Sequence, residues 1–291
     1  MNKNIGGKTK MSHFAVAVFQ EPNGKTLEQL LAPYQENNMG DCPKEYLEFI
    51  CTEDEYRKEF EEDSVTMVRK PNGNLIYTWD DELAKLKQQI KNDDTQKMQE
   101  EYDKLLVSHG YEKVEIMHKD RYPDFDAFMK DWAWYDGKDP ETGKYGYWEN
   151  PNKKWDWWQI GGRYSGLLKL RDSGNVVNSA KIKDIDFEGM TQARIQEYEA
   201  CWKEAEGKDN ATRYFMFGIE KNITLEDYLR KAQMFTTFAV ITPDGKWYEK
   251  GEMGWWACVS NEEAEWDEKY KERFLDTANP EWILTIVDCH I

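Results

Sequence analysis

Apolar and polar positions along this chain fall into two rhythms, short apolar runs closed by turn residues and longer stretches at helical spacing. Residues 13–19 (HFAVAVF) form a run suited to a strand buried on both faces, and residues 21–25 (EPNGK) supply a turn after it. A similar unit recurs twice. Residues 65–69 lead through Lys70-Pro71-Asn72-Gly73 into 74–79, and residues 237–241 lead through Pro243-Asp244-Gly245 into 246–250. Proline presets the negative φ of such a turn and glycine accepts the left-handed position, so these two units predict hairpins. Further strands are expected at 113–118, 165–171 and 282–291, the last (WILTIVDCHI) apolar enough to lie centrally in a sheet. Because the runs at 13–19 and 282–291 both need burial on two faces, they are expected to share one sheet.

Helices are expected between the strands. Residues 80–109 have the Leu, Lys, Gln and Glu content of one long exposed helix, with His109-Gly110 as its stop. Shorter helices are expected at 124–134, 191–206, 224–231 and 261–274. Thr224 and Ser260 each stand three residues before an acidic residue, the spacing of a capping box. Between Cys42 and Asp63, helical spacing would gather Tyr46, Phe49, Tyr56 and Phe60 on one side and carboxylates on the other. The expected class is α+β: a mixed, largely antiparallel sheet with helices packed on it and a tryptophan-rich insertion. Residues 11–291 are expected to form one large domain, with a mostly helical sub-domain over 41–110. The polar residues 1–10 are expected to be a disordered extension, since Met11 opens the apolar pattern.

Charge narrows the functions open to this fold. With 56 acidic against 39 basic side chains the net charge is -17, which repels phosphate backbones and anionic headgroups, so direct nucleic-acid or membrane binding is not expected. The same field keeps a protein soluble or attracts a basic partner surface. Glu53, Asp54, Glu55, Glu61, Glu62 and Asp63 are the candidate docking carboxylates, a solvated helical face being their ordinary use. The five cysteines, Cys42, Cys51, Cys201, Cys258 and Cys289, are scattered, with no Cys-x-x-Cys pair, which fits a reducing compartment. No apolar run approaches the ~18 residues of a membrane span, and the first ten residues lack the apolar core of a signal peptide. A cytoplasmic protein is therefore expected.

The most unusual stretch is 132–166, which holds six of the 13 tryptophans: Trp132, Trp134, Trp148, Trp155, Trp157 and Trp158. Trp155 and Trp157 flank Asp156 at strand spacing, which predicts both rings on one face and the carboxylate on the other. Gln159 leads to Gly161-Gly162, where the backbone is free to turn sharply or approach another group closely, and then to Arg163, whose planar fork suits phosphate or carboxylate, and Tyr164. Trp155, Trp157, Trp158, Gln159, Gly161, Gly162, Arg163 and Tyr164 are thus a candidate site for a nucleotide or another flat anion. The alternative is a tryptophan-rich core with a tight turn. Trp247 with Trp255-Trp256 forms a second aromatic group that could pack on the first.

Catalytic motifs are absent: no Gly-x-Ser-x-Gly elbow, zincin pair, dinucleotide fingerprint or P-loop occurs, and no cofactor is expected. His13 opens the first strand, and His290 nearly closes the last beside Asp288 and Cys289. Were those strands adjacent, His13, Asp288 and His290 could bind a metal or act as acid and base, the commoner use being histidines satisfied within strands.

The segments Met11-Ser12-His13-Phe14, 31–40 (LAPYQENNMG), 154–166 (KWDWWQIGGRYSG) and Val287-Asp288-Cys289-His290 together resemble a family of proteins encoded by bacteriophages. The resemblance implies the cytoplasm of an infected bacterium, where accessory phage proteins blunt host immunity. Size, acidity and setting are similar to those of the anti-Gabija inhibitors, which enclose a nuclease complex. The leading expectation is therefore a counter-defence protein that blocks a host defence complex, a binder rather than an enzyme. The alternatives are a protein that sequesters a nucleotide immune signal on the 155–163 segment, and an enzyme whose reaction the motifs do not name. Self-association into a homo-oligomer stays open.

Overall fold

The computed structural model describes residues 13–90, 95–133, 137–232, 235–253 and 259–291. The expected extension at 1–10, the Met11-Ser12 start, Trp134, Trp255-Trp256 and Cys258 lie outside them. The chain divides into two compact units, Met1–Glu48 with Glu149–Ile291, and Phe49–Trp148. The class is α+β.

The first unit is built on a mixed sheet. Its strands are β1 (His13–Gln20), β2 (Trp157–Ile160), β3 (Ser179–Lys181), β4 (Ala239–Ile241), β5 (Trp247–Glu249) and β6 (Ile283–His290). Their order is β3-β6-β1-β4-β5, with β2 pairing the other half of β6. β1 and β6 are antiparallel over all eight residues, from His13↔His290 to Gln20↔Ile283, so the two apolar runs are the sheet's central neighbours. Only β1 and β4 run parallel.

Both faces of this pair are buried, as the alternation of side chains along a strand requires. On one face Phe14, Val16, Val18, Val287 and Cys289 pack against Leu27, Leu30 and Leu31, which come from a short helix capped by Thr26. On the other, Ala17, Phe19, Leu284 and Ile286 meet Trp266, Tyr270 and Phe274. The polar tips there are satisfied, Trp266 Nε1 donating to the Thr237 carbonyl at 3.0 Å and the Tyr270 hydroxyl lying 2.7 Å from Thr237 Oγ1. Helix Phe187–Glu204 is capped by Asp186, and helices Asn210–Phe217 and Leu225–Ala232 follow it.

The second unit holds a sheet of Leu75–Tyr77, Ser64–Arg69 and Glu112–Met117, a smaller three-stranded sheet, and helices Glu53–Glu62, Asp81–Lys87, Thr95–Ser108 and Phe125–Trp132. Leu83, Leu86, Tyr102 and Leu106 form one core, and Phe125, Phe128 and Met129 another with Tyr56 and Phe60.

Several expected elements differ. The long helix of 80–109 is two described helices, Asp81–Lys87 and Thr95–Ser108, the first closing in tight turns at Gln89 and Ile90, and residues 91–94 of the expected helix lie outside the described residues. Of the four rings between 42 and 63 only Tyr56 and Phe60 share a helix, since Phe49 lies in strand Glu48–Cys51 and Tyr46 in a single 3-10 turn. In 261–274 the helix starts only at Trp266, because Asn261 takes a positive φ of 52° and Glu263 N–H donates to the Lys250 carbonyl. In 165–171 only Leu168–Lys169 is strand. Among the described residues no helix is long and apolar enough to cross a membrane, and Cys42, Cys51, Cys201 and Cys289 form no disulfide.

Candidate functional site

The β1–β6 register places His13 beside His290, and the rings meet edge to face with centroids 4.8 Å apart. Two residues back along β6, Asp288 projects from the same face and reaches His13 Nδ1 at 2.9 Å. Asp156, just before β2, holds His290 Nδ1 with both oxygens, at 2.8 and 3.0 Å. The site is therefore a pair of carboxylate–histidine dyads at one end of the central strands. Neither Nε2 has a hydrogen-bond partner among the described residues, so each ring presents one nitrogen for exchange while its carboxylate fixes tautomer and orientation.

The segment of 155–164 builds the surroundings. β2 pairs with the end of β6, Trp157 opposite His290 and Gln159 opposite Asp288. Trp157 stacks on His290 with centroids 5.2 Å apart and planes 14° off parallel, and meets His13 edge-on at 5.0 Å. Asp288, fully buried, also accepts from the Arg163 N–H at 2.9 Å and from Gln159 Nε2 at 3.4 Å. Gly162 makes this approach possible: its φ is +49°, and a Cβ there would lie 2.2 Å from Asp288 Oδ2. The Tyr164 hydroxyl donates to the His13 carbonyl at 3.2 Å. Its pKa is pushed up to about 12, by burial first and then by the Asp288 charge, with Arg163 opposing.

Not all expected residues join. Trp155 and Trp157 do not share a face: Trp155 is buried in the core on the side of Phe14 and Val287, whereas Trp157 lies with Asp156 at the histidines. The reason is that strand pairing begins only at Trp157, while Trp155 bridges to Gln35, so the backbone bends between them and the alternation is lost. Trp158 is partly buried against the same core as Trp155. Trp132 and Trp148 belong to the second unit. Gly161 supports the turn through its N–H to the Ile286 carbonyl. The Arg163 side chain joins no ion pair among the described residues; it is the Arg163 backbone N–H that meets Asp288. Cys289 points into the opposite core and burial pushes its thiol pKa well up, so it stands apart from His13 and His290. Among the described residues no three or more His, Cys, Asp or Glu side chains are grouped to hold a metal ion; His13 pairs with Asp288, and His290 pairs with Asp156.

His13 also lines a cleft of about 750 Å³ within the first unit, with Tyr164, Lys169, Arg194, Phe235 and Lys250. Motif reading missed Lys169, Arg194, Phe235 and Lys250, which come from four separated segments and are united only by the fold. Asp156 was visible in sequence as a neighbour of the tryptophans, but nothing local paired it with His290.

The carboxylates considered for docking lie in the second unit. Asp54, Glu55, Glu61, Glu62 and Asp63 are exposed on and just after helix Glu53–Glu62. Glu53 is engaged internally, accepting from Arg57 at 2.7 Å and from the Tyr145 N–H at 3.1 Å, and Arg57 foremost holds its pKa below the ordinary value. Tyr56 and Phe60 turn inward against Phe128. Comparison of the chain with family models, curated proteins and solved structures returned no match.

Proposed function

We propose that this chain binds a small anionic ligand in the cleft beside His13 and that the His13 imidazole, backed by the second dyad, exchanges protons with it. The observation that carries this reading is the double dyad. Two imidazoles, each oriented through Nδ1 by a carboxylate, sit on adjacent strands, one of them facing a cleft. A pair of histidines needed only for strand packing would not call for a fully buried carboxylate with three donors, nor for a glycine whose missing side chain makes room for it. The cleft size falls within the roughly 300–1,000 Å³ of small-molecule sites. The test is thermal melting of the full chain against nucleotides, sugar phosphates and carboxylic acids. A ligand at 100 times its Kd should stabilise by about 2.7 kcal/mol, and His13→Gln should abolish that shift while remaining folded. A wild-type chain that no member of these classes stabilises would sink the reading.

A second reading is favoured by the exposed row Asp54, Glu55, Glu61, Glu62 and Asp63. On it, the chain is a phage counter-defence protein whose acidic helix meets the basic nucleic-acid groove of a host defence complex. Residues 49–148 carry 24 acidic against 15 basic side chains, a denser excess than the rest of the chain, which supports that helix as the docking element.

A further inference from the structure

The cleft beside His13 reverses the charge of its surroundings. The first unit carries 32 acidic against 24 basic side chains, yet the cleft is lined by Lys169, Arg194 and Lys250 against Glu197 and Asp267. Of the cations, Lys250 is neutralised by Asp267 at 2.8 Å, while the Lys169 ammonium joins no ion pair among the described residues. Lys169 is half-buried on the short strand Leu168–Lys169, whose Leu168 is fully buried, so the base of its side chain is held by the core. An unneutralised ammonium in a cleft of an acidic protein is a binding group for an anion.

The other walls are flat and apolar. Phe235 and Phe238 line the cleft on the segment entering β4, and each is braced from behind. Phe235 meets Phe187 and Tyr270 edge-on with centroids at 5.4 and 6.2 Å, and Phe238 meets Phe14 at 5.2 Å. Aromatic walls with one cation and one imidazole Nε2 suit a ligand that is planar at one end and anionic at the other. An aliphatic acid would use the cation and leave the rings idle. A free nucleoside would do the reverse.

We propose that the cleft takes a phosphate ester bearing a planar ring, a ligand of nucleoside monophosphate size, with the phosphate at Lys169 and His13 and the ring against Phe235 and Phe238. This rests on the reading of the cleft as the ligand site and adds the chemical class. Lys169 then binds by point charge, and His13 Nε2, the nitrogen that Asp288 leaves available, accepts from the acid hydroxyl of a monoprotonated phosphate.

The test uses the full chain with the four nucleoside monophosphates, adenosine, ribose 5-phosphate, inorganic phosphate and citrate as probes. Affinity is read by calorimetry and site occupancy by the imidazole resonances of His13 and His290. The expected result is that at least one nucleoside monophosphate moves the His13 resonance and binds at least about tenfold tighter than adenosine, ribose 5-phosphate or phosphate. Lys169→Ala should weaken that nucleotide by about tenfold and leave adenosine unchanged. Two controls keep folding out of the answer: Lys169→Arg should retain binding, and all variants should match wild type in melting without ligand. Nucleotides that bind no tighter than inorganic phosphate, or a Lys169→Ala variant that binds them as well as wild type, overturn the proposal. If citrate or ribose 5-phosphate moves the His13 resonance and no nucleotide does, the class is wrong and the site stands. If no probe moves either histidine, the underlying reading of the cleft falls as well.

Discussion

Two nearly buried histidines, one in each unit, sit in opposite kinds of surroundings. His13 has a carboxylate at 2.9 Å that is itself held by Arg163 N–H and Gln159, and its ring borders a cleft. His118 is 1% exposed, lies among Phe128 at 5.0 Å, Trp132 at 4.6 Å and Tyr122 at 6.2 Å, and its Nδ1 has no hydrogen-bond partner among the described residues. Burial lowers the His118 pKa, Glu59 partly opposing, so the ring serves as a neutral aromatic plate in the core. The difference teaches that burial alone does not mark a working histidine. What marks His13 is that the fold places polar groups around it, at the expense of core packing, and leaves one nitrogen outward.

The largest test of that contrast is to remove the polar support from one and the imidazole from the other. Asp288→Ala leaves His13 Nδ1, the Arg163 N–H and Gln159 without their acceptor in a buried place. It should cost about 3–5 kcal/mol in denaturant unfolding. His118→Leu replaces a polar ring that has an unpaired nitrogen with an apolar side chain, and should stay within about 1.5 kcal/mol of wild type in either direction. Equal costs for the two substitutions would break the comparison.

What could be foreseen of this contrast followed the range of the interactions. The central strands were legible, because HFAVAVF and WILTIVDCHI are apolar runs that must be covered on both sides, and from that followed their place in one sheet, though not that they are neighbours in it. On β6 the spacing of two put Asp288 and His290 on one face, visible from the chain alone. The pairing of Asp288 with His13 was not legible, since it depends on a register between strands more than 260 residues apart in sequence. Asp156 was misplaced because the bend before β2 broke the alternation from which its face was read. Lys169, Arg194, Phe235 and Lys250 carry no local signal, each being an ordinary residue until the fold gathers them. His118 gave no sign either, since nothing in its neighbours in sequence tells a core plate from a ligand.

Acid should separate the two histidines by a smaller amount. Unfolded, His118 takes up a proton near its ordinary 6.5, whereas in the folded core burial delays protonation to lower pH. Between those values the unfolded state binds more protons, so stability falls as pH drops below 6.5 and is unaffected above it. The loss is at most about 1.4 kcal/mol per pH unit, and ends below the folded value. Urea midpoints of wild type and His118→Leu, measured from pH 7.5 to 5, should diverge only below 6.5, with the variant the flatter of the two. Parallel curves would mean that His118 is protonated in the fold as easily as in water, and that its surroundings are wetter than the aromatic contacts imply.

The smallest effect on stability is expected from the exposed acids of the second unit, and it bears on the docking reading. Asp54, Glu55, Glu61, Glu62 and Asp63 stand in water, and the one ion pair of this row among the described residues, Glu61 with Lys119, is 3.7 Å long and exposed on both sides. Replacing all five by Gln or Asn should therefore change unfolding free energy by less than about 1 kcal/mol. If the helix steers a basic partner, the same change should act on encounter, slowing association and flattening its salt dependence, because rim charges set on-rates more than dissociation. Glu53 is the internal control. Bound to Arg57 and the Tyr145 N–H, it should cost stability when changed to Gln and leave the on-rate alone. The partner is to be captured from infected cells, with association followed by surface plasmon resonance between 50 and 300 mM salt. An on-rate that neither salt nor the five substitutions alter would leave these carboxylates as solvated surface, and would return the function of the chain to the histidine pair.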